Sequence, residues 1–513
     1  MGHGIFALKH KIRKTMRFIL KIRRSQIVKA HTFSTFNKTS HSVTNVQVTK
    51  SNDTKSSHVL FISPTLLPEP SSSAAGVRTE ALIRHFLASK TIFDGVHFAC
   101  SDIQTNDQNS STMDGLRKMG MGLHRIRSNR KEDIKNWFLR LDLNTQWNFN
   151  KVMKTKGALK AVIFDRFYSE EIYSFHFQKY SPNTLRILDM QDMHSLRQAR
   201  KEILDDWDRL CNTQMMTKSL MKDLITCTPK NTNDMLIREL ASIHRSDLIF
   251  VCSPHELHLL RDVYRIQEEK LLLAPFFTSN DKMKSDAQNK ENPLFVFVGG
   301  FRHHPNVDAV LYLHNEIWPI IQSQLPQAEM HIYGAYPKYL INKLQKKQHK
   351  RFYIHGYAKH LDEVFQNATL LLCPLRYGAG IKGKIVDSWK YGVPVVTSPI
   401  GAEGMKDNDS DALWGGIIVE DTDCNAFASS VIDLYKNEEL RKSCVDRGYA
   451  LLDILYNKDK NLKMIDESIE NAIQNLELRR AKDHVSTILW HQRNRSTEYF
   501  SKWIELKESM KTT

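Results

Sequence analysis

The sequence predicts an α/β fold in which two doubly wound, Rossmann-like domains face each other across a cleft. Short apolar segments alternate with helix-like segments from residue 58 onward, and a second series of the same kind begins near residue 292. Such alternation is typical of parallel sheets that are covered by helices on both faces. The polar stretch Ser279–Glu291 lies between the two series and marks the expected hinge. A chain of 513 residues is long enough to bury two such cores.

The first series predicts five strands and the helices that separate them. A loop rich in Pro and Ser, Pro64–Gly76, follows the first strand, and a helix over Val77–Ser89 follows the loop. A longer helix is predicted from about residue 195 to residue 225. The predicted strands are Val59–Ile62, Val96–Cys100, Ala161–Phe164, Leu185–Leu188 and Leu248–Cys252.

The second series is of similar size. Helices are predicted over Val307–Gln322 and Pro337–Lys346, and the segment from Asn457 to the last residue is charged and helix-prone. The predicted strands are Phe295–Val298, Met330–Tyr333, Phe352–His355, Leu370–Cys373, Val393–Thr397 and Ile417–Val419.

The positive charge is concentrated at the N-terminus. The formal charge is +16, but residues 1–52 hold eleven Lys or Arg and no acid, so the remainder has 62 basic against 57 acidic residues. This mild excess does not indicate nucleic-acid binding. The acid-poor, Ser- and Thr-rich N-terminal segment is typical of a mitochondrial or plastid transit peptide, and a disordered basic tail is the alternative. We expect a cytoplasmic or organellar protein.

Cysteines and apolar runs restrict the class of protein further. The seven cysteines are scattered and odd in number, and no C-x-x-C or Cys/His metal spacing occurs. This pattern favours a reducing compartment over secretion and predicts no metal site. No apolar run approaches the eighteen or so residues of a membrane span, so none is expected.

The segment after Leu370–Cys373 carries the strongest chemical signal. A glycine-rich turn contains Gly378, Gly380 and Gly383, with Lys382 and Lys384 interleaved, and a short helical stretch follows. Glycines allow the backbone to approach an oxyanion, the start of a helix offers free N–H groups, and lysines add positive charge. This combination predicts a phosphate site.

An acidic residue completes the predicted nucleotide-sugar site. Asp387 lies three residues after Lys384, so the two share one helix face. A carboxylate there can accept hydrogen bonds from a ribose diol while the lysines hold a diphosphate.

The same segment resembles the donor-site signature of family-4 type (group 1) retaining glycosyltransferases, which have the GT-B architecture. The resemblance lies in Arg376–Lys384 (R-x-G-x-G-x-K-G-K), Asp387, Gly392–Val396 and Gly401–Gly404. It implies transfer of a sugar, with retention, from a nucleotide-diphosphate sugar of UDP or GDP type to an unknown acceptor, without a cofactor or metal. Many members carry two glutamates eight residues apart here; this chain has Ala379 and Asp387 instead. A catalytically inactive, GT-B-like binding protein is therefore an alternative.

The resemblance also implies roles for residues outside this segment. In Leu188–Arg197, which looks like the family's D-x-x-D-x-H stretch, Asp192 and His194 are the candidate catalytic residues. In Gly299–Asn306, similar to a G-x-F-x-H-x-P-N turn, Arg302 would pair with the diphosphate, and Asn306 is expected to cap the next helix. Gly76, near a predicted helix start, and Glu403 would contact the donor.

These assignments give four segments. They are a basic tail or transit peptide (residues 1–55), an N-terminal acceptor domain (56–285), a C-terminal nucleotide-sugar domain (286–456) and a C-terminal helical segment (457–513). The resemblance is thinner in the acceptor domain than over residues 293–405.

The glycine turn also matches G-x-G-x-x-G, so a dinucleotide-dependent oxidoreductase is a second alternative. That fingerprint belongs to the first strand–helix turn of a domain, with an acid at the end of the next strand. Here the turn comes late in the chain, and the next predicted strand is followed by Ser398-Pro399 rather than an acid. A nucleotide sugar is therefore the favoured ligand.

Overall fold

The computed structural model describes residues 57–63, 73–101, 110–127, 133, 159–211, 216–278, 283, 292–344, 349–406, 413–420 and 423–510. All of them belong to one compact unit, Lys55–Thr513. The basic tail and most of the expected hinge lie outside the described residues, as do residues 64–72 of the predicted Pro- and Ser-rich loop.

The described residues of the first series build a seven-stranded parallel sheet in the order β3-β2-β1-β4-β5-β6-β7. Helices cover both of its faces, as the alternating pattern predicts. The elements are β1 His58–Ser63, α1 Ala74–Ser89, β2 Gly95–Cys100, α2 Ser110–Lys118, β3 Gly122–Arg125, β4 Leu159–Asp165, α3 Arg166–Tyr180, β5 Leu185–Asp189, α4 His194–Cys211, α5 Lys218–Ile225, α6 Asp234–Arg245, β6 Leu248–Val251, α7 Pro254–His258 and β7 Leu271–Leu273.

The described residues of the second series build a six-stranded parallel sheet in the order β10-β9-β8-β11-β12-β13. The prediction of two Rossmann-like α/β domains is confirmed. The elements are β8 Leu294–Val298, α8 His304–Tyr312, α9 Trp318–Gln324, β9 Glu329–Tyr333, α10 Lys338–Leu344, β10 Phe352–Gly356, α11 Leu361–Phe365, β11 Leu370–Cys373, α12 Gly383–Lys390, β12 Val395–Thr397, α13 Pro399–Ala402, β13 Gly416–Ile418, α14 Cys424–Lys436 and α15 Glu438–Leu455.

Local hydrogen bonds explain where two helices begin. Helix α1 starts three residues earlier than predicted, because the Ser73 hydroxyl accepts a hydrogen bond from the Gly76 amide and caps the helix. Helix α8 starts at His304, so the expected cap, Asn306, lies inside its first turn. The Asn306 side chain instead donates to the Gly300 carbonyl oxygen at 2.9 Å.

Three further differences concern short or interrupted elements. Strands β3 and β7 have four and three residues, too few for a recognisable pattern. The single helix predicted near residues 195–225 is divided into α4 and α5, and residues 212–215 between them are not described.

The C-terminal helical segment packs on the first domain. Leu462, Ile465 and Ile469, from α16 (Lys458–Gln474), join the apolar core of the first sheet. After α17 (Leu476–Lys482), helix α18 (His484–Ser509) buries Trp490, whose indole N–H donates to the Arg245 carbonyl oxygen at 3.2 Å. No helix in the described ranges combines the length and apolarity that a membrane span requires.

Both sheets reverse their strand order once, and these points position the candidate site. The reversal lies between β1 and β4 in the first sheet and between β8 and β11 in the second. In open α/β sheets, ligands bind beyond the carboxyl ends of the strands at such a switch point. The glycine loop, defined here as Gly378–Lys384, follows β11 and therefore lies at the switch point of the second sheet.

Candidate functional site

The glycine loop reaches the first domain. Gly380 has a left-handed backbone (φ +67°), and a Cβ atom there would lie 2.8 Å from Cβ of Asp192. A Cβ on Gly383 would lie 2.9 Å from Cβ of Ala74, at the start of α1. Glycine is required at both positions because any side chain would push the two domains apart.

Lys384 lies at the switch point itself. Its ammonium donates to Asn306 Oδ1 at 2.6 Å and lies 4.1 Å from the ring centre of Phe297, so it is held beside the end of β8. Burial lowers the pKa of Lys384 to about 8, because the charged form is poorly solvated there. An anion bound beside Lys384 would stabilise its charged form in place of the missing water.

Lys382 is turned into its own loop. Its side chain is buried, and its ammonium donates to the Gly380 carbonyl oxygen at 2.7 Å. Burial lowers the pKa of Lys382, although the charge of Glu403 opposes this shift. Its hydrogen bond therefore stabilises the shape of the glycine loop.

The carboxylate of Asp387 has no partner among the described residues. It is half-buried on α12 and makes no side-chain hydrogen bond or ion pair with any residue in the described ranges. Burial raises the pKa of Asp387 to about 6, against the effect of Lys390. Such a carboxylate is free to accept hydrogen bonds from a diol.

Two other predicted donor residues have different surroundings. Arg302 is exposed and lies over the ring of Tyr336, 3.6 Å from its centre, on the rim after β8. The Gly76 amide donates to Ser73 Oγ at 3.0 Å and is already used by the helix cap. Ala74, in the first turn of α1, adjoins the glycine loop.

Glu403 is engaged by the first domain, in contrast to the expected donor contact. Arg200, on α4, donates to both carboxylate oxygens, at 2.5 and 2.8 Å, and His255 Nε2 lies 3.4 Å from the same carboxylate. Burial opposes the ionised form, but the hydrogen bonds and charge of Arg200 outweigh it and lower the pKa of Glu403. The pair joins the two domains.

Asp192 and His194 meet at the C-terminal edge of the first sheet. The His194 Nε2 atom lies 3.3 Å from Asp192 Oδ1, and Arg197 pairs with the other carboxylate oxygen. Burial opposes ionisation, but the charges of Arg197 and His194 dominate and hold the pKa of Asp192 well below its usual range. The His194 ring packs edge-on against Phe167 and Tyr168. Asp192 therefore lies directly opposite the glycine loop, and His194 lies beside Asp192.

Further cross-domain contacts were not apparent from the sequence. Arg376, within the recognised signature, is buried and pairs with Asp208 of the first domain and Asp308 of the second. Glu256, on α7, accepts hydrogen bonds from backbone amides of both domains. Partners this far apart in the chain cannot be identified from a local sequence pattern. The spacing of polar residues on α4 is nevertheless compatible with a contact face.

Arg166 adds a cation beside Tyr168, whose ring packs against that of His194. It begins α3 directly after β4 and has a left-handed backbone, with φ at 64°. Its guanidinium contacts Asp165 at 3.2 Å and the Tyr168 hydroxyl at 2.6 Å. A non-glycine residue in this conformation stores strain, which occurs preferentially at functional sites. The edge of the first sheet thus offers both donors and acceptors to a hydroxyl-bearing ligand.

No group of three or more His, Cys, Asp or Glu side chains in the described ranges is arranged to hold a metal ion. All seven cysteines lie in those ranges, and none forms a disulfide.

Comparison with known proteins identifies the second domain. Residues 292–437 match a family model described as "Glycosyl transferases group 1". A Klebsiella pneumoniae protein, the uncharacterized 44.6 kDa protein in the cps region, is 22% identical over 183 residues, which are 34% of this chain and 46% of that protein. The match thus spans about half of that relative's length.

Solved structures show the same two-domain arrangement. Sucrose-phosphate synthase from Thermosynechococcus elongatus superposes with a TM-score of 0.54 at 14% identity, covering 83% of this chain and 100% of that one. Anabaena HepE, solved with UDP and glucose, gives a TM-score of 0.52 at 10% identity over 81% of this chain and 100% of that one. A Rickettsia africae glycosyltransferase gives 0.52 at 12% identity, covering 82% and 99%. The fold is GT-B, and residues 292–437 of its second domain match the group 1 glycosyltransferase model.

Proposed function

We propose that this protein is a retaining glycosyltransferase of the family-4 type, which transfers a sugar from a nucleotide-diphosphate donor to a hydroxyl of an acceptor. The observation that carries the proposal is the pair Lys384 and Asp387 at the switch point of the group 1 domain. One is a lysine desolvated beside the end of β8, and the other is a carboxylate with no protein partner among the described residues.

The donor would lie across the carboxyl ends of β8 and β11. Lys384 would bind the diphosphate, aided by the free amides at the start of α12. Asp387, one turn further along, would accept hydrogen bonds from the ribose hydroxyls. Arg302 could reach the diphosphate only by leaving the Tyr336 ring, so we assign it a lesser role. Because the HepE structure contains UDP, a uridine donor is the first to test.

Catalysis would rest on stabilising the leaving diphosphate. When the glycosidic bond breaks, negative charge grows on the diphosphate oxygens, and a preorganised lysine in a poorly solvated site stabilises that charge strongly. The acceptor hydroxyl would approach from the first domain, beside Asp192 and His194, and holding it there supplies the proximity contribution. Lysine charges can perform this task without a metal ion.

The alternatives differ in ligand or in turnover. The oxidoreductase alternative is not favoured, because β12 ends at Thr397 and is followed by Ser398, so no acid is available for the ribose of a dinucleotide. The binding-protein alternative depends on Ala379, which packs against the apolar core of the first domain and offers no carboxylate.

A ligand and turnover assay tests the proposal. Thermal shift with UDP, GDP, ADP and NADH identifies the nucleotide, because a ligand that binds the native state alone raises its stability. Release of the free nucleotide from the corresponding sugar donors is then measured. We expect stabilisation by UDP or GDP and slow donor hydrolysis even without an acceptor. Stabilisation by NADH alone would indicate an oxidoreductase, and nucleotide binding without any hydrolysis would indicate a binding protein.

A further inference from the structure

We propose that Glu256 is a positioning residue that holds the glycine loop of the second domain against the Asp192–His194 segment of the first. This inference deepens the proposed function and rests on it. Glu256 Oε1 accepts a hydrogen bond from the Met193 amide at 2.9 Å and another from the Gly380 amide at 2.8 Å. One oxygen atom thus joins the two segments that form opposite sides of the candidate site.

The contact is deeply buried. Glu256 has no solvent-exposed surface, and its second oxygen, Oε2, has no hydrogen-bond partner among the described residues. Met193 lies between the two candidate catalytic residues, and Gly380 is the residue whose missing Cβ allows the loop to approach Asp192. Removing the carboxyl group would leave both amides buried and unpaired, which is costly.

The surroundings of Glu256 favour its neutral form. Burial and the negative charge of Asp192 raise the pKa of Glu256 to about 8, and Glu403 adds to the shift, whereas the two amides oppose it. The other titratable groups nearby are Cys252 at the end of β6, His255 on α7, and Arg200 and Lys382, which pair with or face Glu403. With its proton on Oε2, the carboxyl group still presents Oε1 to both amides.

A direction of pH dependence follows. If the domains separate, Glu256 meets water and returns to an ordinary carboxyl pKa. The joined state, with its raised pKa, then holds one more proton, so joining is most favourable below the ordinary pKa and weakens as the pH rises towards the raised value. Above the raised pKa, the contribution of the Glu256 proton to joining the domains is fully lost, and no further change in their association is expected.

The chain contains a matched control. Glu239 is also buried and also accepts two backbone hydrogen bonds, from the His194 amide at 2.7 Å and the Ser195 amide at 3.0 Å. All of these groups belong to the first domain, so Glu239 caps helix α4 without reaching the glycine loop.

Hydrogen exchange of the full-length protein distinguishes the two glutamates. We compare Glu256→Ala, Glu256→Gln and Glu239→Gln with the unmodified protein at about pH 6.5 and 8.5. Peptides that cover residues 190–198 and 377–385 are followed. For Glu256→Ala we expect exchange to increase about tenfold in both peptides together, the effect expected for one lost buried hydrogen bond. For Glu239→Gln we expect any change to be confined to residues 190–198.

The glutamine variant keeps the proposal testable should the alanine variant fail to fold. Its amide oxygen accepts both hydrogen bonds, so protection at the lower pH should match that of the unmodified protein. Because it cannot ionise, it should also lose the additional exchange that the unmodified protein shows at the higher pH. The same pH response in both proteins, or a change in one peptide alone for Glu256→Ala, would overturn the proposal.

Binding of UDP, measured by calorimetry on the same samples, separates this inference from the proposed function. Coupled exchange without UDP, GDP or donor binding would leave the Glu256 contact intact and reject the transferase. UDP binding without coupled exchange of the two peptides would support the nucleotide-sugar site and reject the proposed role of Glu256.

Discussion

Arg200 and Glu403 form a buried, doubly hydrogen-bonded ion pair that joins the two domains, although 203 positions separate them in the chain. Arg200 also donates to the Leu224 carbonyl oxygen and to the Gly378 carbonyl oxygen, each at 2.8 Å. Helix α4 therefore anchors the glycine loop from the first domain.

Removing one partner of this pair should be strongly destabilising. Glu403→Ala leaves the Arg200 guanidinium buried without its counter-charge, and such losses typically amount to about 3–5 kcal/mol. We expect that decrease in the free energy of unfolding, measured with urea. Lys201→Ala, which removes an exposed pair with Asp205 on the same helix, should change it little. Equal effects of the two variants would mean that the cross-domain pair contributes nothing.

The donor diphosphate should depend on Lys384. In Lys384→Ala we expect UDP or GDP binding to weaken by about 1.5–3 kcal/mol, the usual cost of one charge-assisted contact, without loss of the fold. Lys382→Ala should also weaken binding, together with some loss of stability, because its ammonium fastens the loop. Calorimetry checks both variants, with the exposed Lys442→Ala as control. Unchanged affinity in the first two would reject the phosphate assignment.

Nucleotide affinity should weaken in acid through Asp387. Its pKa is raised to about 6, and only the ionised form has both carboxylate oxygens available, so that each can accept a hydrogen bond from one hydroxyl of a diol. Affinity for UDP or GDP should be highest between the pKa of Asp387, about 6, and that of Lys384, about 8, and should fall as the pH drops below the lower value. The loss of affinity in acid should disappear in Asp387→Asn, which should bind the nucleotide weakly at every pH. It should persist in Asp433→Asn, which changes an exposed acid on α14. Calorimetry between about pH 5 and 8 checks this prediction.

His194 should contribute to turnover rather than to nucleotide binding. It lies on the first domain and is paired with Asp192, whose Cβ lies opposite Gly380 of the glycine loop. We expect His194→Ala to lower the turnover number by about a hundredfold or more, as for loss of a group that assists proton transfer, with UDP or GDP affinity retained. His258→Ala, an exposed position on α7, is the control. Loss of nucleotide affinity in His194→Ala would place the histidine in the donor site instead.

The stereochemical outcome tests the proposed retention. The glycine loop resembles that of retaining enzymes, and Asp192, whose carboxylate lies 3.3 Å from the His194 ring, is already engaged by Arg197. An α-linked donor should therefore yield an α-linked product. Proton NMR of the first-formed product decides the matter, since a β anomeric signal would require an inverting base and would make Asp192 or His194 that base.

Short-range features were predictable wherever neighbouring residues determine them. Alternating apolar and amphipathic segments predicted both sheets, and the glycines with Lys384 and Asp387 predicted an anion site within ten residues of one another. Strands β3 and β7 were missed, since three or four residues at or near a sheet edge carry too little pattern. The start of α1 was misplaced because a single side-chain hydrogen bond from Gly76 to Ser73 determines it.

The fold class and the position of the glycine loop were predictable from the sequence, because apolar periodicity and backbone freedom are local properties. The groups that surround the loop come from distant segments and became visible only in the folded protein. Glu403, a predicted donor residue, pairs with Arg200, and Glu256 reaches Gly380 across 124 positions. A buried charge or amide without a partner costs free energy, so groups that folding brings together in the interior pair with each other. No residue type or spacing in the chain reports which groups will share a buried interface.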